Sequence, residues 1–467
     1  MSNTLEKKKG APNPIVIIIC IILVSALASY IVPAGVFDRV VDPNSGRTVV
    51  DPSSFQYTEQ NPTGFFDLFK SLTLGLQSAS DIIAFLFIIG GAFGVMEATG
   101  AIKSGMGTLV LKMRGKELLL VPVCMLIFSC GSAFAANEEE YLAFLPLILS
   151  ICLAMGFDSL TALGIVFGST GAGIASGCTN AFTVGVAQGI AGLPVFSGIE
   201  LRLASLAVFY IINVTFVTLH ARKVKANPQA SPMYELDRSR AGTFEVNEEE
   251  RMTGRHKVVL LIFVATVAVL VFGVIQYGFY IDELAALFLI MGIAAGVVGG
   301  LRPGEIADSF IKGCHNMLFP CIMVGFCKAT TIILTDALIM DTVIHALAGL
   351  LNGIPTVLTA CGMFLIQAIF NFLVPSGSGQ AAITMPIMAP LADLVGITRQ
   401  TAVLAFQFGD ASTNCITPAS GMTMSALAIA GVPLNKWWKF FVPLVLIWWA
   451  VCCAFLVFAT LTGYGPF

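Results

Sequence analysis

The sequence predicts an all-α protein that crosses a membrane many times, and three observations support this fold class. The chain has 467 residues, of which 57% are hydrophobic and only 11% are charged, whereas soluble domains carry about 25% charged residues. Apolar segments long enough to cross a bilayer recur along the whole chain, and the mean hydropathy is +0.87. Two of these segments are interrupted by polar, Gly-rich stretches, at residues 168–180 and 409–421.

The N-terminus has two interpretations. A basic tail at residues 1–13 precedes an apolar run from about Pro14 to Val32, a pattern shared by cleavable signal peptides and first spans. We favour a retained span with a cytoplasmic tail, because the rest of the chain is also membrane-embedded and the span has a counterpart in the second half.

Residues 14–221 are predicted to form the first of two structural repeats. The first span delivers a turn-rich loop, residues 35–63, to the outside, and an amphipathic interfacial helix follows at residues 64–77. A span at residues 82–98 then returns to a short loop rich in Lys and Arg. The positive-inside rule places that loop in the cytoplasm.

The next two apolar segments are too short to cross a bilayer separately, since a span needs about 20 residues. We therefore predict a re-entrant hairpin at residues 118–155, whose polar tip contains Asn137, Glu138 and Glu139. An outward span at residues 159–190 follows, and its glycines break it into two half-helices. In a bilayer such backbone survives only where protein or a water-filled cavity surrounds it.

A polar stretch at residues 222–256 is interpreted as a cytoplasmic linker between the halves. Residues 257–467 then form an extra span and the second repeat. We expect this part to contain an interfacial helix at residues 307–316 and a separate span at residues 318–334.

The second repeat continues with a hairpin at residues 355–395 and a broken helix at residues 399–431. In total we expect nine full spans and two re-entrant hairpins. The N-terminus would be cytoplasmic, and the C-terminus would lie on the periplasmic or extracellular side of the cell (inner) membrane.

Short sequence matches between the halves occur in the same order, at offsets that agree within a few residues. They pair Pro146 and Gly156 with Pro386 and Gly396, Thr161-Ala162 with Thr401-Ala402, residues 175–177 with 419–421, and residues 190–194 with 429–433. An odd number of spans separates equivalent points, so the second copy is inverted. Inverted repeats with interrupted helices are typical of alternating-access transporters, and they favour a carrier over a channel.

The hairpin tips and the breaks would bring the ends of half-helices together near the middle of the membrane. Half-helix N-termini carry unpaired N–H groups that suit a substrate carboxylate, whereas half-helix C-termini suit a cation. The candidate substrate-binding residues are Asn137, Glu138, Glu139, Thr179, Asn180, Ser376, Gly377, Ser378, Asp410, Thr413 and Asn414. The alternative role of such small polar residues is helix capping and close packing between spans.

Charged residues in this region indicate what could bind there. Ionised Glu138, Glu139 and Asp410 are costly at membrane depth unless something cationic comes close. The simpler interpretation of the glutamates is compensation of a helix dipole. Lys328, in the middle of a predicted span, has three open interpretations: it pairs with an acid, it stands where a co-transported cation sits in relatives, or it snorkels towards the interface.

We expect no organic cofactor and no structural metal site. The 12 cysteines form no CxxC pair and lie mostly inside apolar segments, so we interpret them as small buried hydrophobes. A coupling ion, Na⁺ or H⁺, is left open by the residues, and a bound Na⁺ would lie near Asn137, Ser376 and Asn414.

Residues 374–380 (Val-Pro-Ser-Gly-Ser-Gly-Gln) and 409–421 resemble the YfcC family, which is related to the anaerobic C4-dicarboxylate carriers of the ion transporter superfamily. The resemblance covers essentially the whole chain. It implies a scaffold and a transport domain in each subunit, a homodimer and elevator-type movement.

The same resemblance implies site residues and a substrate class. The superfamily's paired Ser-Asn-Thr clamps map to Asn137 and residues 376–378 at the tips, and to residues 179–180 and 413–414 at the breaks. This chain departs from a strict Ser-Asn-Thr at either tip. The YfcC group is described as basic amino-acid antiporters, including arginine/ornithine exchangers.

Two transport hypotheses follow. The first is exchange of a basic amino acid, arginine for ornithine, and the alternative is sodium- or proton-coupled transport of a C4-dicarboxylate or other carboxylate. An enzyme is not expected, because the predicted spans contain no HExxH, GxSxG or paired aspartates at catalytic spacing. The expected partners are a small-molecule substrate, the lipid bilayer and a second copy of the chain, with no nucleic acid.

Overall fold

The computed structural model describes most of the chain, and every structural statement below refers to the described residues. These are residues 14–41, 48–51, 53–112, 115–135, 138–180, 183–194, 196–241, 252–277, 279, 281–351 and 354–465.

Helices dominate the described part of the chain, as predicted. The first half contains α1 (Pro14–Ile31), α2 (Phe65–Ser78), α3 (Ser80–Ala98), α4 (Ala101–Lys112), α5 (Leu120–Ala135), α6 (Leu145–Ala154), α7 (Ser159–Leu163), α8 (Ser169–Ser176), α9 (Val184–Ile190) and α10 (Ile199–Ala226). The second half contains α11 (Tyr234–Ala241), α12 (Gly254–Tyr277), α13 (Ile281–Gly299), α14 (Pro303–Asp336), α15 (Met340–Gly349), α16 (Thr356–Asn371), α17 (Gly377–Leu394), α18 (Arg399–Asn414), α19 (Gly421–Ala430) and α20 (Leu434–Leu461).

Four short strands lie in the first loop of this mostly helical chain. They are β1 (Gly35–Val36), β2 (Arg39–Val41), β3 (Thr48–Val50) and β4 (Gln56–Tyr57). β1 pairs antiparallel with β4, and β2 pairs antiparallel with β3. The loop predicted at residues 35–63 therefore contains two small two-stranded sheets. The β-branched Val and Thr residues of β2 and β3 favour the strand conformation.

Seven helical segments in the described part are long and apolar enough to cross a membrane. They are Ser80–Ala98, Glu117–Phe134, Ser159–Ser176, Ile199–Ala226, Ile281–Gly299, Pro303–Asp336 and Leu434–Leu461. One of them, Glu117–Phe134, belongs to the predicted hairpin, and a 3-10 turn before α5 extends it to 18 residues. The chain is thus a multi-pass membrane protein.

The predicted interfacial helix at 307–316 and the predicted span at 318–334 are one continuous helix, α14. Glycines let it pack closely along α2 and α3. A Cβ atom on Gly313 would lie 2.8 Å from the carbonyl carbon of Gly90, and Gly325 packs in the same way against Leu76 of α2. Such close contacts between small residues hold membrane helices together and keep α14 a single element.

Both breaks are shorter than predicted, because the polar residues before them stay helical. α8 continues to Ser176 and ends where Gly177 adopts a left-handed conformation (φ +47°). α18 likewise continues to Asn414. The hydroxyls of Ser176 and Thr413 donate to carbonyls one turn back, at 2.9 and 2.8 Å, so these side chains are satisfied inside the helix.

Each helical hairpin is joined to its broken helix by the same local structure. Gly156 after α6 and Gly396 after α17 both have a left-handed conformation, with φ of +81° and +74°. The next helices then begin at side-chain N-caps, where Asp158 Oδ1 and Thr398 Oγ1 accept the N–H three residues on, at 2.9 and 3.2 Å. The positions paired by sequence therefore share their backbone geometry.

Part of the segment predicted as a linker, residues 222–256, packs on the protein. The Asp237 carboxylate on α11 accepts the N–H and the hydroxyl of Ser159, at 2.9 and 3.1 Å. Ser231 donates its hydroxyl to Asp158 Oδ2 at 2.6 Å. This segment therefore clamps the beginning of α7.

The first loop, which contains β1 to β4, is anchored to α15. Arg39 pairs with Asp341 of α15 at 3.0 Å, and the same carboxylate accepts the N–H of Phe37 at 3.0 Å. α15 begins at Met340, which lines the cavity described below. The loop thus braces the element that connects α14 with α16.

Asp158 is the centre of the clamp on α7, and its ionisation affects stability. Burial raises the pKa of this carboxyl, but the hydrogen bond and charge of His220, together with the hydroxyls of Ser231 and Thr161, leave the pKa below its ordinary value. Because the folded-state pKa is lowered, the carboxylate stabilises the fold at neutral pH, and this contribution is lost as pH falls below about 4.

We predict that Asp158→Ala lowers the free energy of unfolding by about 2–4 kcal/mol at pH 7, because it removes an N-cap and leaves buried donors unpaired. Thermal unfolding in detergent measures the effect, with exposed Asp308→Ala as control. The difference between wild type and variant should shrink towards pH 3; a constant difference would contradict the assigned ionisation.

A second prediction concerns the packing of α14. Gly313→Ala should destabilise the protein by about 1–3 kcal/mol, because the added methyl overlaps the backbone of α3. Gly304→Ala is the matched control on the same helix, since nothing lies within 4 Å of its Cβ position. Equal melting temperatures for the two variants would show that the helices do not approach this closely.

Candidate functional site

A cavity of about 480 Å³ lies beside α14, among the ends of several shorter helices. It is bounded by the turn after α5, the segment between α8 and α9, the turn between α16 and α17, the end of α18 and the start of α19. The predicted site residues that line it are Glu138, Asn180, Lys328, Ser376, Gly377, Ser378, Asp410 and Asn414.

Other predicted site residues lie elsewhere. Thr179 ties its break to the end of α5, donating its N–H to Ala133 O at 3.0 Å and its hydroxyl to Phe134 O at 2.7 Å. Thr413 is fully buried behind the cavity wall. Asn137 and the side chain of Glu139 lie outside the described residues.

The last turn of α18 contributes the most buried charge of the site. Asp410 is only 1% exposed, and its Oδ1 accepts the Asn414 amide at 3.4 Å. Its Oδ2 has no hydrogen-bond partner among the described residues. Because the C-terminal end of a helix carries partial negative charge, this position repels an anion and attracts a cation or a proton.

Asn371, the last residue of α16, holds this turn in place. Its amide nitrogen donates to Asp410 O at 3.0 Å, Thr413 Oγ1 at 2.8 Å and Asn414 Oδ1 at 2.9 Å. The sequence analysis did not single out this residue. The signal was an asparagine in an otherwise apolar run directly before the second hairpin turn.

The second hairpin turn presses against the first break. A Cβ atom on Gly377 would overlap Thr183 Cγ2 and would lie 3.2 Å from Asp410 Oδ2. Thr183 itself donates its N–H to Asn180 Oδ1 at 3.1 Å. Glycine is therefore required at this position for the turn, the break and the carboxylate to meet.

Two helix N-termini also open onto the cavity. α17 begins at Gly377 after Ser376, and α19 begins at Gly421 after Ser420, whose hydroxyl accepts the Thr423 N–H at 3.3 Å. Ser376, Gly377, Ser420 and Gly421 all line the cavity, whereas Thr423 does not. The cavity thus faces two positive helix ends and one negative end.

Among its described lining residues, the cavity has more acids than bases. Asp81, Glu138 and Asp410 face one base, Lys328, for a formal charge of −2. The predicted pairing of Lys328 with an acid is not found among the described carboxylates. Asp81 was missed from the sequence because an acid in the first turn of a helix is typical of simple dipole compensation.

Three buried side-chain oxygens in this part of the protein, Asp410 Oδ2, Thr183 Oγ1 and Asn371 Oδ1, have no hydrogen-bond partner among the described residues.

The geometry predicts that Asn371→Ala destabilises the protein by about 1–3 kcal/mol, because two buried acceptors, Asp410 O and Thr413 Oγ1, and the half-buried Asn414 Oδ1 lose their donor at once. Asn61→Ala is the control, since its exposed amide donates a single hydrogen bond, to Asp336 O at 2.8 Å, and we expect a change within about 0.5 kcal/mol. Thermal unfolding in detergent compares the two. Equal effects would mean that Asn371 does not hold α18.

Comparison with known proteins places the chain in a family. The family model described as "DcuC: C4-dicarboxylate anaerobic carrier" matches residues 11–461. An Escherichia coli (strain K12) protein, YfcC, provisionally named a basic amino acid antiporter, is 35% identical over 98% of each chain. A Haemophilus influenzae protein of unassigned function is 29% identical, covering 85% of this chain and 79% of its own.

Two solved transporter structures align with nearly the whole chain at low identity. The Alcanivorax borkumensis YdaH transporter is 17% identical, covers 97% of this chain and 100% of its own, and gives a TM-score of 0.44. Neisseria gonorrhoeae MtrF, from a class of antimetabolite efflux pumps, is 18% identical, and the match covers 97% of this chain and 96% of MtrF, with a TM-score of 0.44. By its family match and its E. coli relative, the chain belongs to the DcuC family of carriers and is a membrane transporter, not an enzyme.

Proposed function

We propose that the protein is a secondary active transporter that exchanges basic amino acids, arginine for ornithine, across the cell (inner) membrane. The observation that carries the proposal is the charge arrangement of the cavity, with helix N-termini and three carboxylates in one space. An α-amino acid with a cationic side chain is complementary to both. The provisional name of the E. coli relative points to the same substrate class.

The α-carboxylate of the substrate would bind at the starts of α17 and α19. Free N–H groups of a first helical turn favour an anion. Ser376, Ser378 and Ser420 add hydroxyls at these ends of the cavity.

The cationic end would bind on the acidic side, at Glu138 and Asp410, with Asp81 nearby. A volume of about 480 Å³ suits a molecule of this size, since ligand pockets measure about 300–1,000 Å³. Lys328 lies on α14 in the same cavity, where a bound cationic group would compete with it for the acids.

We further propose that α5–α6 and α16–α17 are re-entrant hairpins of an inverted repeat, and that they move with the broken helices as one transport domain. In support, α5 packs on α8 as α16 packs on α18, while α2 and α3 pack on α14 and α13 packs on α3. The cavity lies between these two groups, as an elevator-type movement within a homodimer requires. The domain boundaries predicted from the sequence stay part of this proposal.

The orientation of the chain belongs to the same proposal. Lys225 pairs with Glu117 at 3.0 Å, and Lys436 donates to Pro232 O at 2.5 Å, so basic helix ends gather on one face. The positive-inside rule makes that face cytoplasmic. α1 then begins in the cytoplasm, and α20 ends on the opposite side.

A second candidate function is supported by the family description and by Lys328. A C4-dicarboxylate, the substrate in the family's description, carries two carboxylate groups. Lys328 in the cavity could pair with one of these groups. Because the cavity is acidic, a dicarboxylate would need Na⁺ or H⁺ to bind with it.

Counterflow in proteoliposomes distinguishes basic amino-acid exchange from dicarboxylate transport. Vesicles loaded with ornithine should accumulate labelled arginine whether or not Na⁺ is present, whereas labelled succinate should not enter. Sodium-driven succinate uptake without arginine exchange would overturn the proposal and support the alternative.

Glu138→Gln should raise the KM for arginine at least tenfold, because it removes a charged partner of the cationic end (roughly 1.4 kcal/mol per tenfold). Asp308→Asn, an exposed acid on α14 outside the cavity, is the control and should leave counterflow unchanged. If both variants behave like wild type, Glu138 does not contact the substrate.

A further inference from the structure

We propose that a polar recess at the membrane surface, separate from the substrate cavity, binds the headgroup of a phospholipid that carries a phosphate and a primary ammonium. The recess has a volume of about 210 Å³ and lies between the loop before α2, the start of α2 and the end of α14. It shares no described lining residue with the substrate cavity. The inference goes beyond the proposed function, because it makes no assumption about the transported substrate.

The first reason is the depth at which the recess lies. α14 is long enough to cross a membrane, and its last residue, Asp336, lines the recess. The apolar helix α1 ends at the same place, since the hydroxyl of Tyr30 near its end donates at 3.0 Å to the carbonyl of Thr63, another lining residue. Tyr30 is 56% exposed, and an exposed tyrosine near the end of an apolar helix is typical of the boundary between lipid and water. The recess therefore opens at the level of the lipid headgroups.

The second reason is the row of exposed aromatic side chains beside the recess. Phe65, Phe66 and Phe69 of α2 are 81%, 78% and 54% exposed, and the rings of Phe65 and Phe69 pack edge to face. The residues that follow Phe66 and Phe69, Asp67 and Lys70, line the recess. Phenylalanines on an amphipathic helix at this depth contact acyl chains. A lipid here would place its headgroup in the recess and its chains along these rings.

The third reason is the charge of the recess. Asp67 and Asp336 are negative and Lys70 is positive, and none of the three forms an ion pair with another described residue. A headgroup with a phosphate and a primary ammonium is complementary to this arrangement. Lys70 would bind the phosphate, and the two carboxylates would accept the N–H groups of the ammonium.

These charges also discriminate between headgroups. A choline headgroup has no N–H group to donate to the carboxylates, and a glycerol headgroup brings a phosphate without any cation. An ethanolamine headgroup supplies both partners. The recess is smaller than the pockets of drug-sized ligands, which measure about 300–1,000 Å³, so it suits a headgroup whose acyl chains stay outside.

The bound lipid would stabilise one wall of the substrate cavity. Ile333 of α14 lines the recess, whereas its neighbour Ile332 lines the substrate cavity. A headgroup held between α2 and α14 thus supports the end of α14 from the side opposite the transported substrate. Because such a ligand binds the folded protein, it should also raise the melting temperature.

Lipid binding to the purified full-length protein in detergent tests the proposal. Native mass spectrometry gives the apparent Kd for phosphatidylethanolamine, phosphatidylcholine and phosphatidylglycerol with identical acyl chains. We expect the ethanolamine lipid to bind about fivefold more tightly than either of the others, an effect in the range of a few exposed charge contacts. Equal affinities, or tightest binding of phosphatidylglycerol, would overturn the proposal.

A soluble competitor separates a lipid from a free metabolite with the same headgroup. Phosphoethanolamine lacks the acyl chains that contact the phenylalanines, so it should displace the lipid only at much higher concentration. If it binds as tightly as the lipid, the recess is not a lipid site.

Variants of exposed residues locate the binding. Asp67→Asn combined with Asp336→Asn should remove the preference for phosphatidylethanolamine over phosphatidylcholine, and Lys70→Gln should weaken binding of both, because both carry a phosphate. Asp308→Asn and Lys312→Gln are the matched controls, since these exposed charges lie on α14 outside the recess. An unchanged preference in the double variant would show that the lipid binds elsewhere.

Discussion

The Asn371 amide links the end of one helix to the end of another inside a chain that spans a membrane. α16 stops at this residue, and α18 stops four residues after Asp410, whose backbone carbonyl accepts from the amide. Helix ends leave carbonyls unpaired, which no lipid can satisfy. By donating to Asp410, Thr413 and Asn414, the amide lets both helices end together beside a cavity. The polar site depends on that contact.

The ends that meet at the cavity divide it by charge. α17 and α19 begin there, while α18 ends there and adds the Asp410 carboxylate. In a cavity of about 480 Å³, a zwitterion with an additional positive group is close to both the positive and the negative helix ends. Packing sets this arrangement, because Gly377 allows the turn, Thr183 and Asp410 to come into contact.

Much of the site could be predicted because its signals are local. Gly and Pro interrupt apolar segments, and the acids and Ser-Gly-Ser stand out in such surroundings, so Glu138, Ser376 and Asp410 were identified from the sequence. Asn371 was not identified, since its role depends on a residue 39 positions later. The continuity of α14 was missed for a similar reason, because its close contacts with α3 at Gly313 and with α2 at Gly325 involve residues far away in the chain.

By itself the sequence determined the membrane class, the paired positions such as Gly156 and Gly396, and the candidate acids. These follow from hydropathy and backbone conformation, which act over a few neighbouring residues. Only the tertiary structure decided which polar groups share a cavity and where each break begins. Thr413 proved to be buried behind the wall, whereas Thr183 faces the site. Such assignments depend on which helix faces meet, and contacts between residues far apart in the chain determine that.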